Sequence, residues 1–196
     1  NGEMLAGAFV AWGFACAAQG LLRPAPLAWA WGMAAGALGG CAVLVKQTIV
    51  DGLVFAIVLA VLVGTRRRLR AQAATVLVAA LVGLLVAVGV GLAAASARGT
   101  SPAELFEALV TFRADAGEVI RTSASDATAR RLVVLLATWV ASGLALVTVL
   151  ALGQAARRRD PALVAASAVL VVVSAAALLG GSYWNHYLLQ LVPAAA

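Results

Sequence analysis

The chain has 196 residues, 64% of them hydrophobic and 11% charged, with a formal net charge of +6. A soluble domain carries about 25% charge, so this composition and a mean hydropathy of +1.02 exclude an ordinary water-soluble protein. The basic excess falls in arginine clusters between apolar runs, where it marks topology and not a nucleic-acid surface.

Successive apolar runs are long enough for bilayer-crossing helices, and the period-two alternation of a transmembrane barrel is absent. The expected fold is all-α: a polytopic transmembrane helical bundle of about six full spans plus the start of a seventh, in a single domain over residues 1–196. The chain reads as a piece of a longer membrane protein, opening on Asn1 and closing on Pro193 and three alanines in what looks like a further span.

Span one, about residues 4–22, stops at Arg23-Pro24-Ala25-Pro26, a charge with two helix breakers. Span two, about 27–45, opens on Trp29 and Trp31 and carries Gly32, Gly36 and Gly40 on one face. Small residues four apart let a second helix approach closely. Cys16 and Cys41 lie at different depths in these spans and read as free packing residues. A polar knuckle of Lys46, Gln47 and Thr48 follows, with Asp51 about one turn on. Span three, about 49–64, ends in Arg66, Arg67, Arg68 and Arg70, and span four covers about 71–95.

Residues 96–131 form the one long hydrophilic connection. There Ser101 can cap a helix, with Pro102 at its first position and Glu104 three residues after the cap. Leu105, Phe106, Leu109 and Val110 give that helix an apolar face, which either lies on the membrane surface or covers the bundle. Residues 117–128 read as a mobile polar connection. Span five (about 132–153) leads to Arg157–Arg159, and span six (about 161–181) to Tyr183-Trp184-Asn185-His186-Tyr187.

The clusters at Arg23, Arg66–Arg70 and Arg157–Arg159 occupy alternate connections, so they share one side, cytoplasmic by the positive-inside rule. The other side receives Glu3, Lys46, Gln47, Asp51, the 96–131 loop, Asn185, His186 and Tyr187. In that loop Arg98, Arg113, Arg121, Arg130 and Arg131 are offset by Glu104, Glu107, Asp115, Glu118 and Asp126. Ionisable groups near membrane depth are costly and are usually paired or functional. Asp51 is read as a site residue, as the partner of Lys46 or as a polar group hydrogen-bonded within the bundle, and His186 either as a site residue or as part of an interfacial belt with Tyr183, Trp184 and Tyr187. No phosphate loop, Cys-x-x-Cys pair, paired-histidine zinc site or Gly-x-Ser-x-Gly elbow is present.

The run from Ala35 through Lys46-Gln-Thr resembles a segment of the polytopic GT-C glycosyltransferases, which include the protein mannosyltransferases (glycosyltransferase family 39) and the aminoarabinose transferases of lipid A. His186-Tyr-Leu-Leu-Gln-Leu-Val-Pro193 resembles a later segment of bacterial members. Asn1-Gly-Glu3 resembles the place where such enzymes carry an outer acidic residue. The resemblance implies an enzyme of the plasma (inner) membrane that moves a sugar from a polyprenyl-phosphate carrier to a lipid, glycan or protein acceptor on the outer face. It implies donor-phosphate binding by Lys46 and His186, supported by Gln47, Asp51, Asn185 and Tyr187. Glu3 would orient the acceptor, act in catalysis or hold a divalent metal, which some members need and others do not, while the catalytic base is expected upstream of Asn1. The prenyl chain would lie between spans, bordered by the glycine face of span two. The alternatives are a transporter or lipid flippase using Asp51 in a proton or ion path, and a scaffold packing through its glycines.

Overall fold

The structure, a computed structural model, describes residues 2–46, 49–122, 126–179 and 183–195. It is an all-α bundle, with no strand among the described residues. The elements are α1 (Gly2–Leu22), α2 (Ala25–Val45), α3 (Asp51–Gly64), a 3-10 turn Arg67–Leu69 and α4 (Arg70–Ala97). The long connection follows as α5 (Pro102–Phe106), a π turn Glu107–Thr111 and α6 (Phe112–Thr122). Then come α7 (Asp126–Ala141), α8 (Leu144–Arg158), α9 (Pro161–Leu179), a 3-10 stretch Asn185–Leu191 and α10 (Val192–Ala195).

Four helices, α1, α2, α4 and α9, are long and apolar enough to cross a membrane, which makes this a membrane protein. Against the six spans expected, α7 and α8 make a fifth only if taken together, because they are bent by 65° at a break. The letters Ser142-Gly143 cause it: Gly143 sits at φ +77°, in the left-handed region that glycine enters freely, and helical bonding restarts beyond it. The expected span three is also shorter than a crossing, since α3 has 14 residues.

α2 is the centre of the packing, lying against α1 on one side and α4 on the other. Apolar burial drives little association inside lipid, because lipid tails are as apolar as leucine; close backbone approach matters more. A Cβ built on Gly36 would lie 1.8 Å from the Ala80 carbonyl oxygen, and one on Gly83 would lie 2.1 Å from that of Met33. The glycine face of α2 is therefore filled by α4. It does not border a prenyl groove, which corrects that expectation. Across the bundle, Phe14 of α1 stacks on Phe55 of α3 with ring centroids 4.2 Å apart. Cys16 and Cys41 are free thiols.

The two ends of the bundle differ. At the arginine end, the Gln72 amide of α4 donates to the carbonyls of Gly20 (3.2 Å), Leu21 (2.9 Å) and Arg23 (2.5 Å). These groups end α1 and have no partner of their own within it, so Gln72 serves as a C-terminal cap supplied from another helix. Asp160 caps α9 in the same region, its carboxylate accepting from the Ala162 and Leu163 amides at 3.0 Å, with Pro161 at the first helical position. The opposite end gathers the start of α1, the end of α2 and the start of α3.

In the long connection the Ser101–Glu104 capping box forms as the spacing predicts. The stretch read as a mobile connection is largely helical: residues 117–122 belong to α6, and residues 126–128 open α7. Phe106, Leu109, Val110 and Phe112 stay exposed, which fits a helix resting on the membrane surface better than one covering the bundle.

Candidate functional site

Three chain segments meet at the polar end. Glu3 lies in the first turn of α1, where the positive end of the helix favours a carboxylate, and Lys46 follows the last turn of α2, where the negative end favours a cation. The two are ion-paired through Lys46 Nζ and Glu3 Oε1. His186 approaches from the third segment, with Nε2 3.4 Å from the same Glu3 oxygen. Tyr187, the next residue, turns its ring beneath Lys46, whose Nζ stands 4.5 Å from the ring centroid. The His186 and Tyr187 rings meet edge to face with centroids 4.9 Å apart.

Glu3 is only 6% exposed, so its charge is supported by these partners and hardly by water. Two basic side chains already engage one of its oxygens, which leaves it poorly placed to take a proton from a substrate. It is better suited to fixing the position of Lys46 and His186. The sequence-predicted Glu3, Lys46, His186 and Tyr187 thus form one cluster. Asn185 lies beside it, facing a separate recess, and Gln47 is outside the described residues.

Asp51 does not join them. It sits in the first turn of α3, 2% exposed, and its Oδ1 has no hydrogen-bond partner among the described residues. Lys46 pairs with Glu3 and not with Asp51, which corrects one of the three readings of that residue. A divalent metal does not fit Glu3 either: it offers one carboxylate already engaged by two basic side chains. Among the described residues no group of three His, Cys, Asp or Glu side chains is placed to hold a metal.

Two recesses open on either side of the Glu3–His186 contact. The first, about 340 Å³, runs from Glu3 along α1 past Met4, Gly7 and Ala11 and is closed by Leu189, Val192 and Pro193. It is almost wholly apolar below its carboxylate end. The second, about 570 Å³, lies between the first turns of α7 and residues 183–186. Arg130 and Arg131 line it together with Trp184, Asn185 and His186. Arg131 rests over the Trp184 ring, Cζ to centroid 4.6 Å, and Trp184 lies nearly parallel to His186, centroids 6.2 Å apart.

The backbone that presents these aromatic rings is strained. Tyr183 has φ +51°, a left-handed conformation that a bulky side chain rarely adopts. Such residues persist where surrounding structure holds them, and they cluster at functional sites. Sequence reasoning treated Trp184 as one of several belt aromatics and counted Arg130 and Arg131 only toward loop neutrality. The usable signal was an arginine pair directly before an apolar span.

Comparison with protein-family models, with curated proteins and with solved structures finds no match to this chain.

Proposed function

We propose that the chain is part of a GT-C-like glycosyltransferase that takes a sugar from a polyprenyl-phosphate carrier on the extracytoplasmic face of the plasma membrane. The observation that carries this reading is the cluster of Glu3, Lys46 and His186, whose Glu3 also lines one end of an apolar recess. An amphiphile with one long apolar chain and an anionic head matches that arrangement. Its chain follows α1 and its phosphate stops at Lys46 and His186.

In this reading, breaking the sugar–phosphate bond leaves extra negative charge on the carrier phosphate. Lys46, and His186 when protonated, stabilise that charge from positions fixed before the reaction, in a partly dehydrated place where charge–charge contacts are strong. Glu3 holds both groups in place and Tyr187 supports the ammonium through its ring face. The outward orientation is supported by the arginine clusters at the opposite end of the bundle. The acceptor is a lipid, glycan or protein hydroxyl.

The test is transfer from a polyprenyl-phosphate sugar by the full protein in detergent or nanodiscs. Removing a preorganised charge-stabilising donor costs about 10²–10³-fold in rate, so Lys46→Ala should lose transfer by that order and His186→Ala by less. Wild-type rates in both variants overturn the reading. A second reading, a transporter or flippase, is favoured by Asp51 alone, a buried carboxylate with an unpartnered oxygen. It requires that Asp51→Asn abolish substrate flux in proteoliposomes.

A further inference from the structure

The Glu3–Lys46 pair is balanced in charge, whereas the recess next to it gathers two guanidinium groups and, among its described lining residues, no carboxylate. We propose that this recess is an anion-binding subsite for a phosphate monoester, adjoining the Glu3–Lys46–His186 cluster through His186 but independent of any transfer reaction.

Its walls supply the required chemistry. Successive residues Arg130 and Arg131 leave α7 in different directions yet both face the recess, so a tetrahedral anion between them meets donors from two sides. Arg131 is held over the Trp184 ring, which restrains its guanidinium. A preoriented fork loses less side-chain freedom when it takes up a phosphate than a free one does. Asn185 and His186 bring an amide and an imidazole to the opposite wall. An exposed arginine binds an anion weakly alone, because water and salt screen it. Two of them converging in a concave site, with further donors opposite, form a pocket.

Charge and size select the ligand class. A monoester is close to a dianion at neutral pH and complements two guanidiniums, which a carboxylate does not. A recess of about 570 Å³ also leaves room for the alcohol part of the ester. That ester can come from a lipid headgroup at the membrane surface or from solution.

The probes are glycerol 3-phosphate, titrated by phosphorus NMR against the protein in a neutral maltoside detergent, and phosphatidic acid, measured by its retention from phosphatidylcholine nanodiscs. The expected result is that R130Q/R131Q weakens binding of at least one probe by about tenfold or more. R157Q/R158Q makes the same change in charge at the far end of the bundle and should leave binding within about twofold. Binding of glycerol 3-phosphate assigns a soluble source; retention of phosphatidic acid alone assigns a lipid headgroup. R130K/R131K keeps the charge but loses the planar fork, so it should bind more weakly than wild type. It carries the comparison with R157Q/R158Q if the glutamine pair does not fold. Equal losses from both arginine pairs, or binding of neither probe by wild type, overturn the proposal. Because only binding is read, the subsite can fail with glycosyl transfer intact and stand with transfer absent.

Discussion

The α2–α4 interface and the Glu3–Lys46–His186 end are built largely from one stretch of chain, yet they hold together by different means. Along α2, contact is a matter of absent atoms: glycine lets the two backbones touch, and nothing polar is needed. About nine ångströms beyond the last glycine of that face, at about 1.5 Å per residue, contact depends on charge, and each group is tolerable only because another meets it. The first arrangement tolerates no added atom and the second no removed one. A steric contact and an electrostatic contact can thus be told apart by opposite kinds of substitution.

The largest effect is expected at Gly36. Gly36→Ala places a Cβ against the Ala80 carbonyl oxygen, backbone that cannot step aside, and should destabilise by more than about 4 kcal/mol or prevent assembly. Gly39→Ala is its control, because a Cβ there meets nothing within 4 Å. That variant should be neutral or gain a few tenths of a kcal/mol, up to about 1, from helix propensity. Denaturation in mixed micelles, followed by circular dichroism, compares the two.

At the polar end, Lys46→Met leaves the Glu3 carboxylate buried without its partner and should cost about 3 kcal/mol. Adding Glu3→Gln should recover more than half of that loss, since the orphaned charge is gone. If the double variant is as unstable as the two single losses summed, the pair is not coupled and the contrast with the glycine face disappears.

Gln72→Leu tests whether polar contacts hold the arginine end as well. It frees three α1 carbonyls that water can partly reach, so a loss of about 1–2 kcal/mol is expected by the same denaturation.

The smallest effect lies outside the bundle. Ser101→Ala removes a cap and should cost about 1 kcal/mol locally, read as faster amide exchange in α5 and not as global unfolding. Hydrogen bonds from Ser101 hold the Glu104 carboxyl below its ordinary range. The sign follows: the cap is fully present above the unfolded value and weakens as pH falls through the lowered one. Protection of the α5 amides, taken relative to their intrinsic exchange rate at each pH, should therefore fall below about pH 4 in wild type but not in Glu104→Gln.

Local rules made much of this legible. Pro24 and Pro26 fixed the first turn, Ser101-Pro102 and Glu104 the loop helix, and Gly32, Gly36 and Gly40 a close helix contact. The helix that occupies the glycine face carries the same signal, since Ala79, Gly83, Ala87 and Gly91 of α4 are also four apart, but the letters alone do not say that these two faces meet. The break at Ser142-Gly143 was hidden because span five is apolar on both sides of it. At the site, placing Glu3, Lys46 and His186 on one side followed from counting arginines, but the pairing of Glu3 with Lys46 joins residues 43 apart and has no local signature. Arg131 and Trp184 meet across a still longer separation, so their contact had to be seen in three dimensions.

The short α3 has a consequence for the lipid around it. At about 1.5 Å per residue its 14 residues rise about 21 Å, against about 30 Å of hydrocarbon in a typical bilayer. Its neighbour α4, with 28 residues, reaches about 42 Å. A bilayer touching both faces a mismatch of opposite sign within one bundle, and the shortfall at α3 is relieved by local thinning. That dimple would lie near the α3 end of the bundle that also carries Glu3 and Lys46. On the reading proposed above, an amphiphile would reach the cluster by sinking with its own leaflet, without being lifted out of it.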